Sequence, residues 1–142
     1  MRKQWDTEKK LYTLCVLTED TPGILSQVAR LFSRKGYNIE SIVTGSTDRP
    51  HTARLSINIL ADELVVNQLA TQCRRILGVQ AVKVLDEETC VRREIALIKV
   101  RATDHAARDE IIQLTNIFRG HIMDVDRESL TVWVFGTQSK NA

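Results

Sequence analysis

The sequence predicts an α+β chain: a complete ferredoxin-like β-α-β-β-α-β unit, then a second, incomplete β-α-β-β unit. Three observations carry this. Short β-rich runs alternate with longer runs of helical period. Each helical run closes at or near a glycine, at Gly36, Gly78 and Gly120. The order read over residues 10–86 begins again at residue 92 and stops at 137, where repeating the first unit would take about 20 to 25 more residues.

The first strand is Leu11–Leu17, a β-rich apolar run. Thr21 and Pro22 then read as the N-cap and first residue of a helix, since proline lacks only an N–H that would be unpaired there. Ile24, Leu25, Val28, Leu31 and Phe32 recur at helical spacing, and Gly36 ends the run with Arg34 and Lys35 at the negative end of the helix dipole. Two strands follow, Tyr37–Gly45 and Ala53–Leu60, joined by the turn-rich 46–51. In the second, Leu55, Ile57 and Ile59 alternate with Arg54, Ser56 and Asn58. Asp62 opens a helix with apolar positions Val65, Leu69, Cys73 and Ile76, closed by Gly78, and Val79–Leu85 completes the unit. After the acidic linker 86–90, Glu94–Arg101 reads as a strand. Asp104 then caps a helix with Ala107, Ile111, Leu114 and Phe118 on one face. His121–Asp126 and Leu130–Phe135 form a closing hairpin. With the unit incomplete, Leu130, Val132 and Val134 are expected to lack part of their cover.

Composition excludes several functions. An apolar fraction of 43% supports a packed core. A net charge of +2 argues against a dedicated nucleic-acid binder. No run approaches the ~20 apolar residues of a membrane span, and residues 1–10 are polar with no signal-peptide core, so a cytoplasmic protein is expected. Cys15, Cys73 and Cys90 form no CxxC pair and read as buried small hydrophobes of a reducing compartment. His51, His105 and His121 share no ligand spacing, so no metal is expected. An RNA-binding domain of the same strand order stacks bases on aromatics of its third strand; here that strand has none. No nucleophile elbow or phosphate loop occurs, and the basic doublets at 34–35, 74–75 and 92–93 read as solvated element ends.

One segment carries distinctive chemistry: Glu19-Asp20-Thr21-Pro22-Gly23-Ile24-Leu25-Ser26, between the first strand and first helix. A helix start offers unpaired N–H groups and about half a positive charge to an anion. Gly23 lets a ligand approach the backbone of Gly23, Ile24 and Leu25, and Asp20 could accept a bond from an ammonium. An amino acid has both charges at that separation. Capped helices are common, however, and on this chemistry alone an ordinary cap is the commoner reading. Asn38 could bond a ligand or merely a turn, and the turn reading prevails here.

Asp20-Thr-Pro-Gly-Ile-Leu-Ser26, with Leu31-Phe-Ser-Arg-Lys-Gly-Tyr-Asn-Ile-Glu-Ser41, closely resembles the regulatory small subunit of acetohydroxyacid (acetolactate) synthase. Arg93–Val100 and Ile117-Phe-Arg-Gly-His-Ile-Met-Asp-Val125 resemble that family's C-terminal region. The likeness runs from Leu11 to Thr137. It implies an N-terminal ACT domain, residues 10–86, that pairs with a second copy and binds a branched-chain amino acid, valine above all, at their interface. It implies Gly23, Ile24 and Leu25 as backbone contacts to the effector carboxylate, and Asn38 as a side-chain contact from the partner copy. Asp20 stands where many relatives carry Asn, keeping an acceptor while losing an amide donor. No catalytic residue or cofactor is implied on this chain; thiamine diphosphate, Mg²⁺ and FAD would sit on a separate catalytic large subunit. A stand-alone ACT-type sensor of another enzyme is the alternative.

Overall fold

The computed structural model describes residues 9–137; the polar run at 1–8 lies outside them. The chain divides into two units, up to Cys90 and from Val91.

In the first unit the elements are β1 (Lys10–Glu19), α1 (Ile24–Arg34), β2 (Ser41–Ser46), β3 (Thr52–Ala61), α2 (Glu63–Arg74) and β4 (Val79–Leu85). The antiparallel sheet has the order β2-β3-β1-β4, so β1 is paired on both sides. Opposite residues share a face. Tyr12 faces Ile59, Leu14 faces Ile57 and Val16 faces Leu55, and all six are buried. Val28, Leu31 and Phe32 of α1 and Val66, Leu69, Ala70 and Cys73 of α2 close the core over this side of the sheet.

Several boundaries differ from expectation, each for a local reason. The second strand does not begin at Tyr37. The Tyr37 N–H returns to the Phe32 carbonyl at 3.1 Å, and Tyr37 and Ile39 pack against the core before the ladder starts at Ser41 opposite Asn58. On α2 the buried stripe is Val66, Leu69, Ala70 and Cys73, a helical i, i+3, i+4, i+7 set. Val65 is only half-buried, and Ile76 comes after the last helical residue, Arg74. Asp62 caps as expected, its carboxylate accepting the Val65 N–H at 2.8 Å. Gly78 sits in the turn before β4 rather than at the helix end.

Of the three cysteines only Cys73 is fully buried. Cys15 lies on the opposite sheet face from Leu14 and Val16 and is half-buried, as is Cys90. Burial pushes the Cys73 thiol up to about 11, against a smaller opposing pull from Arg74. Timed thiol labelling of the folded chain at pH 8 is therefore expected to modify Cys15 and Cys90 and spare Cys73 until denaturant is added.

The second unit comprises β5 (Glu94–Arg101), α3 (His105–Ile117), β6 (His121–Val125) and β7 (Ser129–Gly136), with sheet order β5-β7-β6. Asp104 caps α3 through the Ala107 N–H at 2.7 Å. The face expected to be buried is only partly so: Ile111 is half-buried while Leu114 and Phe118 are exposed. Thr115 is the buried residue of α3, and its hydroxyl bonds back to the Ile111 carbonyl at 2.6 Å. Leu130 and Val132 are buried within the unit and do not lack cover; Val134 is half-buried. Large exposed apolar residues are spread instead over β5, α3, β6 and β7, among them Ile95, Leu97, Ile117, Met123 and Phe135. The left-handed residue after α3 is Arg119 rather than Gly120. Gly120 serves clearance, since a Cβ there would lie 2.9 Å from the Trp133 carbonyl oxygen.

Candidate functional site

The loop between β1 and α1 continues one of the two inner strands of the first sheet and is fixed on two sides. The Glu19 N–H and the Thr18 hydroxyl both donate to the Gly78 carbonyl, at 2.8 and 3.0 Å. The Asp20 N–H donates to the His51 carbonyl at 2.9 Å. Nothing in the sequence pointed to these clamps, because main-chain carbonyls make them and His51 contributes no side-chain chemistry. Its positive φ of 55° was the one unusual requirement, and histidine does not advertise it.

Thr21 is not the N-cap. Gly23 occupies that position in the left-handed region, at φ 88°, and no side chain caps the first turn. The Thr21 carbonyl accepts the Ile24 N–H at 3.4 Å, while the Gly23 carbonyl takes the first helical bond, from Gln27, at 3.0 Å. Pro22 therefore lies in a turn before the helix. The sequence Thr-Pro-Gly permits both readings, and the positive φ open to glycine decides between them.

At this start no side chain caps α1, so apart from the Ile24 N–H, held at long range by the Thr21 carbonyl, the first-turn N–H groups retain their capacity for an anion. A Cβ built on Gly23 meets nothing within 4 Å, so that side of the backbone is open. Ile24 is buried and anchors the helix; its Cδ1 lies 3.3 Å from a Cβ built on Gly78. Leu25 is 41% exposed beside the open backbone, and Asp20 is exposed.

Asn38 is not brought beside this loop within one chain. It follows the far end of α1, whose 11 residues span about 16 Å. It also precedes β2 rather than opening it, and its amide donates only to Glu40 Oε1, at 3.4 Å. Its side chain is exposed and presented outward.

Among the described residues no group of three or more His, Cys, Asp or Glu side chains stands close enough to hold a metal ion. No helix there is long and apolar enough to cross a membrane.

Residues 14–81 match the family model of the AHAS small subunit-like ACT domain, and residues 93–142 match that of the small subunit of acetolactate synthase. The acetolactate synthase small subunit of Mycobacterium bovis is 42% identical over 131 residues, covering 92% of this chain and 77% of that protein. The probable acetolactate synthase small subunit of Methanothermobacter thermautotrophicus is 40% identical over 135 residues, covering 95% and 80%. Among solved structures, the acetolactate synthase small subunit of Thermotoga maritima aligns with a TM-score of 0.84 at 38% identity, over 92% of this chain and 81% of that one. With both units matched in order and relatives at this identity over most of their length, the chain belongs to the family of acetolactate synthase small subunits.

Proposed function

We propose that this chain is the non-catalytic regulatory subunit of acetohydroxyacid synthase in branched-chain amino acid biosynthesis. In this reading it activates a separate catalytic large subunit in the cytoplasm and makes it sensitive to valine. That partner would hold thiamine diphosphate, Mg²⁺ and FAD, and this chain would supply no catalytic group.

The observation that carries the reading is the α1 start: a first turn with no side-chain cap, beside a glycine whose ligand-facing side is open. An effector carboxylate would bond the backbone N–H groups of Gly23, Ile24 and Leu25, and Asp20 would accept from its ammonium. The remaining contact, Asn38, stands at the other end of α1, which favours a site completed by a second copy. The β2 edge supports such pairing. All six of its residues are exposed, Val43 by 66%, and the run Ser-Ile-Val-Thr-Gly-Ser has no charge, proline or bulge to discourage another strand. Two chains joined there give a homodimer through the ACT domains. An effector held by both is coupled to their arrangement and acts through its differential affinity for two states.

Isothermal titration of the folded chain with valine, and with leucine and isoleucine alongside, tests the site. Saturable binding supports it, and its absence removes it. Replacing Asn38 by Ala is expected to weaken valine by about 0.5–1.5 kcal/mol, up to roughly tenfold, while leaving the ACT fold intact. Acetolactate formation by the catalytic subunit, with and without this chain, separates the proposal from a stand-alone sensor of a different enzyme, which would give no activation.

A further inference from the structure

In the second unit α3 covers one face of the sheet β5-β7-β6, the face of Leu130 and Val132. Val132 Cγ1 and the α3 residue Thr115, through Cγ2, both lie 3.4 Å from a Cβ built on Gly120. Side chains alternate along a strand, so Thr131, Trp133 and Phe135 of β7 stand on the other face. Strand pairing assigns their neighbours there. Ile95 is opposite Phe135, and Leu97 and His121 flank Trp133. Trp133 stacks on the His121 ring at 4.9 Å between centroids and meets Phe135 edge-on at 6.5 Å. Ile95 and Leu97 are 65% and 70% exposed.

The next rows are charged, with one sign on each side. Lys99 of β5 and Asp124 of β6 flank Thr131, a bulge before Asp124 keeping it on this face. Arg101 is opposite Ser129, whose carbonyl accepts the Asp126 N–H at 2.9 Å from the other side. Two strand spacings, about 10 Å, separate each cation from the acid in its own row. Among the described residues neither Lys99 nor Asp124 has an ion-pair partner.

This pattern is complementary to itself. A two-fold axis laid along β7, in the plane between two stacked copies, places β5 of one over β6 of the other. Lys99 and Arg101 then face the partner copy's acids, and the aromatic rows close on each other as the apolar centre of an interface. An axis across the strands would set β5 on β5 and leave these charges unmatched.

We infer that this open face stacks on the same face of a second copy of the chain. The inference goes beyond the pairing proposed at β2, because it uses the other unit. The face is small, about 14 by 20 Å, so it reinforces that pairing by raising effective concentration, or links one pair to the next.

Sedimentation equilibrium of the full chain is the test, repeated with Val43→Lys so that pairing at the β2 edge does not mask the result. Leu97→Glu, shown to be folded by circular dichroism, should weaken self-association about tenfold or more, because it sets a charge in the apolar centre. Lys99→Glu and Asp124→Lys should each weaken it about threefold, and an equimolar mixture of the two should restore it. In the mixed pair the introduced glutamate meets the introduced lysine, while the untouched Lys99 of one copy meets the untouched Asp124 of the other. Unchanged self-association in Leu97→Glu would overturn the inference and leave the β2 pairing standing. A mixture no tighter than its components would overturn the stacking about β7. Weakening by Leu97→Glu of binding to the catalytic subunit alone would give the face to that partner instead. A wild-type chain that stays monomeric would overturn this pairing and the β2 pairing together.

Discussion

Gly23→Asp is expected to abolish the valine response of the holoenzyme while leaving activation and fold in place. A carboxylate added there would point into the space open beside Gly23, where the effector's own carboxylate is proposed to sit. Two like charges about 4 Å apart at an effective dielectric near 20 repel by roughly 4 kcal/mol, enough to remove binding over any practical valine range. The structural cost is smaller. A Cβ in the left-handed region costs about 1–2 kcal/mol, and aspartate is among the residues that tolerate it best. Aspartate is also a favoured N-cap and could bond the first-turn N–H groups itself, occupying the anion site from within. Acetolactate formation measured against valine concentration reads the outcome. An undiminished inhibition curve would sink the placement of the effector at this helix start.

Phe32→Ala is expected to have the largest effect on stability. Phe32 is 1% exposed and packs in the core built from Leu14, Val16, Leu55, Ile57 and the two helices. Removing a buried phenyl ring typically costs about 3–5 kcal/mol, part transfer and part cavity. Small domains have only about 5–15 kcal/mol in all, so the ACT unit should lose a large share of its stability. The Phe32 carbonyl also accepts the N–H groups of Lys35 and Tyr37, at 3.1 Å each, in the turn that leads to Asn38. Loss of the ring is therefore expected to loosen the end of α1 and weaken effector binding indirectly. Urea denaturation followed by circular dichroism gives the first number; a shift under 1 kcal/mol would contradict the packing described.

Legibility differed sharply between elements. β4 and β5 match their sequence bounds because each is a β-rich run with abrupt polar or glycine flanks. β2 did not, since Tyr37 and Ile39 look like strand residues but serve as packing in the approach to it. Hydrophobic period shows which side chains are buried, whereas pairing depends on backbone groups that leave no mark in the sequence. The start of α1 was misplaced by two residues for a related reason. Thr21-Pro22 is a favoured helix opening, and Gly23's left-handed conformation, which postpones the helix, is permitted by the sequence but not demanded by it. At the candidate site, Pro22 and Gly23 marked the loop as unusual, but its two clamps come from the carbonyls of His51 and Gly78, remote in sequence and indifferent to side-chain type. Asn38 stood out only through the family likeness. Physical reading alone favoured a turn, and within one chain the structure gives it only the weak contact to Glu40.

The same two clamps bear on how a ligand would be met. Glu19 and Asp20 are held by carbonyls from two different connections, at the end of a strand bonded along both edges. A receptor loop of this kind is preorganised, so little conformational entropy is left to lose when a small molecule arrives. Selection among effectors would then rest on the fit of the side chain at the subunit boundary. Encounter would be timed by the meeting of two protomers rather than by closure of a lid.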